Sequence, residues 1–230
     1  MEDFSIMANN NPTDMDAYKK YLEEEKRLND ETKYGTKKKR IEKNLKDWTL
    51  SIKKPFRKCT FATADPKIQE NLKKMSKQNH INNTMVISQD PKLKLLNMYS
   101  MLHSYILKGW VSPSQIRFTT LYEGVTNING VFQSRPWKDN FFSPNAKLLV
   151  IRSGMLPDEL LHNKNLTRFW MEVFDFCEST GANFLLLAEP SGQELHTKPG
   201  QASQIPLLAG DTRLVGKMMR ESITIYLDED

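Results

Sequence analysis

Five short runs constrain this chain more than anything else in it. They are Thr84–Ser88, Gln115–Thr120, Lys147–Ile151, Asn183–Ala188 and Ile223–Leu227. Each is too short for a helix. The clearest of them, Leu148-Leu149-Val150-Ile151 and Phe184-Leu185-Leu186-Leu187, are apolar at every position rather than at alternate ones. A strand that is apolar on both sides needs cover on both faces of its sheet. The segments between the runs carry helical spacing. Leu93, Leu96, Met98, Tyr99, Met101, Leu102 and Ile106 form one such segment, and Leu166, Phe169, Trp170, Val173, Phe174 and Cys177 another. Gly109 and Gly181 close these two helices. The expected fold is therefore α/β, a mostly parallel five-stranded sheet covered by helices. In such a sheet, ligands bind at the carboxyl ends of the strands.

Thr84–Gly109 reads as strand, tight polar loop and helix, the setting in which a phosphate-binding GxxxxGK[ST] loop occurs. The octet in that register is Ser88-Gln89-Asp90-Pro91-Lys92-Leu93-Lys94-Leu95. Lys94 keeps the lysine position, while both glycines and the terminal hydroxyl are gone. Glycines let backbone N–H groups wrap a phosphate without a Cβ clash, and proline has no N–H to offer. This loop is not expected to cradle a triphosphate. For Lys94 two readings stand open, a solvated helix residue or a residual anion contact.

The sequence ahead of the sheet differs in character. From Lys37 to Lys58 there are ten basic residues: Lys37, Lys38, Lys39, Arg40, Lys43, Lys46, Lys53, Lys54, Arg57 and Lys58. Only Glu42 and Asp47 oppose them, so the segment carries +8 against +5 for the whole chain. A segregated cluster of this kind suits an anionic partner such as a nucleic acid, or serves as a solvated face. Residues 1–14 are polar and expected to be disordered. A helix follows through Tyr18, Leu22 and Leu28, with Gly35 expected to break it. A second helix carries Ile41, Leu45 and Trp48 at i, i+4, i+7. That thin stripe needs a partner surface, either the main domain or another protein. The expected division is a helical, basic appendage over 1–50 and an α/β core over 51–230.

Little else points to chemistry. Cys59 and Cys177 match no metal spacing, and Cys177 reads as a small core residue. His80, His103, His162 and His196 are scattered, and no pair of carboxylates stands out for acid–base work. Phe132, Trp137, Phe141 and Phe142 near Arg135 and Lys138 read as local core or as a base-stacking surface. Glu189–Gly210 reads as a Pro/Gly/Gln-rich loop. No catalytic residue, metal site or cofactor is expected. No apolar run reaches membrane-spanning length and the N-terminus is acidic and polar, so a cytoplasmic protein with no membrane partner is expected.

From about Trp48 to Leu227 the order of elements resembles the bacterial replicative helicase loaders of the AAA+ family, the DnaC/DnaI type. Trp48 followed by Pro55-Phe56-Arg57 and Thr60-Phe61 looks like the entry to their ATPase core. Thr84–Gly109 takes the place of the Walker A strand, loop and helix, and Lys147–Ser153 that of the Walker B strand. Phe169–Ala188 looks like the next helix and the sensor strand. Arg213–Arg220 with Ile223–Leu227 is similar to the terminal helix and strand. The resemblance implies a DNA-replication accessory protein that binds a replicative helicase, single-stranded DNA, or both. The departures imply lost catalysis. The Walker A position retains only Lys94, the Walker B strand ends in Arg152-Ser153 where paired acids belong, and the sensor strand runs into Ala188-Glu189-Pro190. The implied protein is a pseudo-ATPase without nucleotide cofactor. Its nucleic-acid contacts would be Lys37, Lys38, Lys39, Arg40, Lys53, Lys54, Arg57 and Lys58, and its protein contacts Ile41, Leu45 and Trp48. A protein-only inhibitor or decoy of such an assembly is the competing reading. A true enzyme with an unrecognised site is a third.

Overall fold

In the computed structural model, residues 12–128, 135–153, 164–188 and 212–227 are described. The expectations for residues 1–11, Phe132, His162, His196 and the 189–210 loop fall outside them. The chain divides between Lys43 and Asn44. The described residues of the first part belong to the helix α1 (Pro12–Ser51), which continues past the division. Gly35 does not break this helix. A mid-helix glycine costs about 1 kcal/mol relative to alanine and removes no hydrogen bond, so one glycine is too weak a breaker here.

The second part holds the sheet. Its elements are α2 (Pro66–Gln78), β1 (Thr84–Ile87), α3 (Pro91–Leu107), β2 (Ile116–Thr120), α4 (Leu121–Asn127), α5 (Arg135–Phe141), β3 (Leu148–Arg152), α6 (Lys164–Thr180), β4 (Asn183–Ala188), α7 (Thr212–Glu221) and β5 (Ile223–Tyr226). The strands stand in the order β2-β3-β4-β1-β5, and all four pairings are parallel. Thr84 lies level with Leu185 and Ile223, and Leu148 with Ile116 and Asn183. The fold is thus the expected α/β sheet with helices. The two short helices α4 and α5 were not anticipated in the irregular stretch after β2.

Strand alternation divides the core in two. On one face Met85, Ile87, Leu149, Ile151, Phe184 and Leu186 pack under α4, α5, α6 and α7. Trp137, Phe141, Phe142, Phe169 and Phe176 form a chain of ring contacts there. These aromatics are local core, as one of the two sequence readings had it. On the other face Val86, Ile116, Leu148, Val150, Leu185 and Ile225 pack under α2, α3 and the end of α1.

Helix starts follow local chemistry. Asp65 caps α2 by accepting from Lys67 N at 2.8 Å, with Pro66 in the first position, where the missing N–H costs nothing. The buried Asn97 of α3 then fixes this start, its Oδ1 accepting from Asp65 N at 2.8 Å. Gly109 and Gly181 both have positive φ, 71° and 68°, as their role at helix ends requires.

The division at Lys43 instead of residue 50 has a physical cause. Trp48 is 5% exposed and Ile52 is buried, both in the face under α3, with Leu45 packed beside them. Trp48 stacks at 8° on Phe118, with centroids 6.3 Å apart, and lies 6.1 Å from Tyr99. The surface that Leu45 and Trp48 need is therefore the chain's own sheet, a correction to their assignment as contacts for another protein. Ile41 lies in the first part of the chain.

Two pairs of substitutions test this packing. A Cβ on Gly124 would sit 2.4 Å from the buried ring of Phe169, which cannot swing away, whereas around Gly35 nothing lies within 4 Å. Gly124→Ala should lower stability by about 1–3 kcal/mol in urea denaturation. Gly35→Ala should strengthen α1 by up to about 1 kcal/mol, read as greater helical circular dichroism. Trp48→Ala should cost about 3–5 kcal/mol, the range for emptying a large core site. Ile41→Ala should leave the core's stability in urea denaturation within about 0.5 kcal/mol of wild type.

Candidate functional site

At the carboxyl end of β1 the chain makes the tight loop that the octet predicted, and then closes it on itself. Ser88 is buried, and its N–H donates to Ala188 O at 3.2 Å. Its Oγ accepts from Asp90 N at 3.0 Å. The Asp90 carboxylate accepts from Lys92 N at 2.7 Å and Leu93 N at 3.2 Å, and Asp90 O accepts from Lys94 N at 3.1 Å. Pro91 has no N–H. From Asp90 to Lys94, then, every backbone N–H is either missing or already taken within the loop. A helix N-terminus offers its free amides and its positive dipole end to an anion. Here the protein's own carboxylate fills that place, and its negative charge opposes a second anion. The signal was in the sequence: Asp followed by Pro starts α3 as it starts α2.

Lys94 is not the solvated residue that one sequence reading had it to be. It is 3% exposed, because α3 buries residues around most of its circumference. Arg152 lies where expected, at the end of β3, with an exposed side chain. The next residue, Ser153, is buried, and its N–H donates to Leu187 O at 2.7 Å.

Beside Arg152 lies a cavity of about 430 Å³, which no sequence signal marked. It opens at the carboxyl ends of β2 and β3 and is closed by α3 and the end of α1. Trp48, Lys53, Tyr99, Phe118, Glu123 and Arg152 are among its lining residues. Its hydroxyls are partly engaged. Thr119 Oγ1 donates to Glu123 Oε2 at 3.0 Å, and Thr120 Oγ1 accepts from Glu123 N at 3.1 Å. Burial raises the Tyr99 hydroxyl above its usual range, against a smaller opposing pull from Arg152.

All ten basic residues of the 37–58 cluster are exposed. On α1, at about 100° per residue, Lys39, Lys43 and Lys46 share a face opposite Ile41, Leu45 and Trp48. The cluster is divided between the two parts of the chain. Lys37, Lys38, Lys39, Arg40 and Lys43 belong to the first part of the chain, and Lys46, Lys53, Lys54, Arg57 and Lys58 to the second. Arg57 also has a structural task. Its guanidinium donates to Ile52 O at 3.1 Å and Leu50 O at 3.2 Å, closing the end of α1. It is the least suitable of the eight proposed nucleic-acid contacts.

Nucleophile chemistry finds no support in the cysteines. Both are buried. Burial raises the Cys59 thiol, and burial with Glu178 and Glu221 nearby pushes Cys177 up to about 12. Among the described residues, no three His, Cys, Asp or Glu side chains gather as a metal site, and no helix is long and apolar enough to cross a membrane.

The loop analysis makes a direct prediction. Asp90→Ala frees the amides of Lys92 and Leu93 and should cost about 1 kcal/mol in urea denaturation. Asp90→Asn keeps an acceptor and should cost less.

No protein-family profile matches the chain, and no curated protein matches it in sequence. Solved structures do resemble it in fold. The crystal structure of the DnaC helicase loader aligns with a TM-score of 0.50 at 12% identity, over 76% of this chain and 100% of that one. AMPPCP-bound DnaA from Aquifex aeolicus aligns with a TM-score of 0.50 at 11% identity, over 75% of this chain. The alignment covers 51% of the DnaA chain, so this chain spans about half its length. At such identities the likeness concerns architecture alone. With its five parallel strands and covering helices, the chain carries an AAA+-type fold.

Proposed function

We propose that this chain is a non-catalytic DNA-replication accessory protein of helicase-loader type, acting on a replicative helicase, on single-stranded DNA, or on both. The observation that carries the non-catalytic part is the closed loop. With the Asp90 carboxylate on Lys92 N and Leu93 N, and Pro91 between them, the place of a triphosphate is filled by the protein itself. Arg152 at the end of β3 adds to this, because a guanidinium cannot ligate Mg²⁺ as a carboxylate does. The loader part rests on the fold shared with the DnaC helicase loader. The DNA part rests on the exposed basic residues of α1 and the segment after it.

In this reading the core is a docking platform and the basic face of α1 meets the nucleic acid. Lys37, Lys38, Lys39 and Arg40 carry that contact, with Lys53, Lys54 and Lys58, while Arg57 remains committed to the end of α1. The first part of the chain, up to Lys43, is the segment to remove when seeking the helicase contact. A deletion to residue 50 would take Trp48 out of the core and unfold what it was meant to test.

Two measurements test the proposal. Equilibrium binding with Mg-ATP up to about 1 mM should show no saturation, and no phosphate release should accompany it. ATP turnover abolished by Lys94→Ala would overturn the pseudo-ATPase reading. Single-stranded DNA should bind weakly, with an affinity that falls steeply as salt rises. Reversing the charge of Lys37, Lys38, Lys39 and Arg40 should flatten that salt dependence by about one unit of slope for every phosphate no longer neutralised. Unchanged affinity would remove DNA from the proposal and leave the protein-only reading.

A further inference from the structure

The cavity beside Arg152 takes no part in the closed loop or in the basic face of α1, and it has the makings of a site of its own. Its walls combine two features. The first is charge. Lys53 and Arg152 both line it, and among the described residues neither side chain has a hydrogen-bond or ion-pair partner. The third charge, Glu123, accepts from Thr119 Oγ1 at 3.0 Å and keeps its negative charge. The lining therefore carries two cations against one carboxylate, a surplus of one positive charge toward an anion. The second feature is an aromatic wall. Trp48 and Phe118 lie parallel with centroids 6.3 Å apart, and Phe118 is still 45% exposed. Tyr99 stands at 6.1 Å from Trp48 and carries a hydroxyl.

At about 430 Å³ the cavity falls within the range of small-molecule sites, and it pairs an apolar wall with a few convergent polar groups, as such sites do. Two cations with no partner among the described residues outnumber the one carboxylate and suit a phosphomonoester, which near neutral pH carries between one and two negative charges. The aromatic wall suits a planar ring, which gains by stacking beyond its buried area. A phosphodiester in a strand offers the two cations two free oxygens where a monoester offers three, and matches the pair less well. A triphosphate would bring charge that the two cations do not answer.

We infer that this cavity binds a small aromatic phosphomonoester, of the nucleoside monophosphate class, with Lys53 and Arg152 on the phosphate and Phe118 against the ring. The site stands apart from the closed loop at β1, so it can be present whether or not the helicase-loader reading holds. It needs no Mg²⁺.

Calorimetric titration of the full chain tests it, with AMP, phenyl phosphate, inorganic phosphate and a short oligo(dT) lacking terminal phosphates as probes. AMP and phenyl phosphate should saturate with a Kd below about 1 mM, unchanged by EDTA. Inorganic phosphate should bind at least about tenfold more weakly for want of a ring. Arg152→Gln and Lys53→Gln should each weaken AMP by about tenfold or more. Both side chains are exposed and have no hydrogen-bond or ion-pair partner among the described residues, so the variants should melt close to wild type. Phe118→Leu should weaken AMP and leave inorganic phosphate unchanged. No saturation by AMP up to about 10 mM, or undiminished binding in Arg152→Gln, would overturn the inference. So would oligo(dT) binding as tightly as AMP and abolished in the same variants, which would make the cavity part of a strand-binding surface. ATP binding that requires Mg²⁺ and survives Arg152→Gln would bear on the loop at β1 and on the loader reading instead.

Discussion

A parallel sheet that is apolar on both faces must be covered on both, and most of this molecule follows from how that demand is met. On one face four helices and a continuous set of aromatic rings suffice. On the other, α2, α3 and the end of α1 share the cover, with the end of α1 lying against β2. Trp48 fills that place by lying flat on Phe118. Three consequences follow. The division of the chain moves to Lys43, because the last turns of α1 belong to the core. The helix must stop just beyond Trp48, and Arg57 folds back to satisfy its final carbonyls. A single helix end also fills less space than a helix laid along the strand, and the cavity lined by Trp48, Phe118 and Arg152 lies beside it.

What the sequence disclosed and what it hid divide along the same line. The strands were legible because burial on both faces leaves no choice of residue along them, as in Leu148-Leu149-Val150-Ile151. Asp65-Pro66 marked the start of α2 for the same reason that Asp90-Pro91 marks that of α3, a carboxylate for the free amides and a residue that has none to lose. Gly35 misled. A glycine weakens a helix by a fraction of what a proline does, and Lys37, Lys38, Lys39 and Arg40 just after Gly35 in α1 are good helix formers. Trp48 was visible as part of a stripe, but a stripe does not name the surface it meets. That depends on which strand edge stands opposite, and the order β2-β3-β4-β1-β5 is a property of the whole chain. Lys94 was hidden by the same kind of fact. Its burial comes from what packs around α3, and no local pattern records that. The cavity joins α1, α3, β2, α4 and β3, and so had no contiguous signal at all.

The charges at the ends of β1 and β3 reverse what a nucleotide would ask of them. Phosphates need donors and positive charge at the helix start, and the metal beside them needs carboxylates. Here the carboxylate, Asp90, is at the helix start and the cation, Arg152, ends β3. Either feature alone would weaken a nucleotide site. The helix start is satisfied internally and gains stability from its cap. The guanidinium at the end of β3 is released from any metal and faces a cavity that also holds Lys53 and an aromatic wall. An AAA+-type fold keeps its shape through the apolar strands, which do not depend on the loops at their ends. Those loops can therefore differ in charge and in hydrogen bonding while the core keeps its shape.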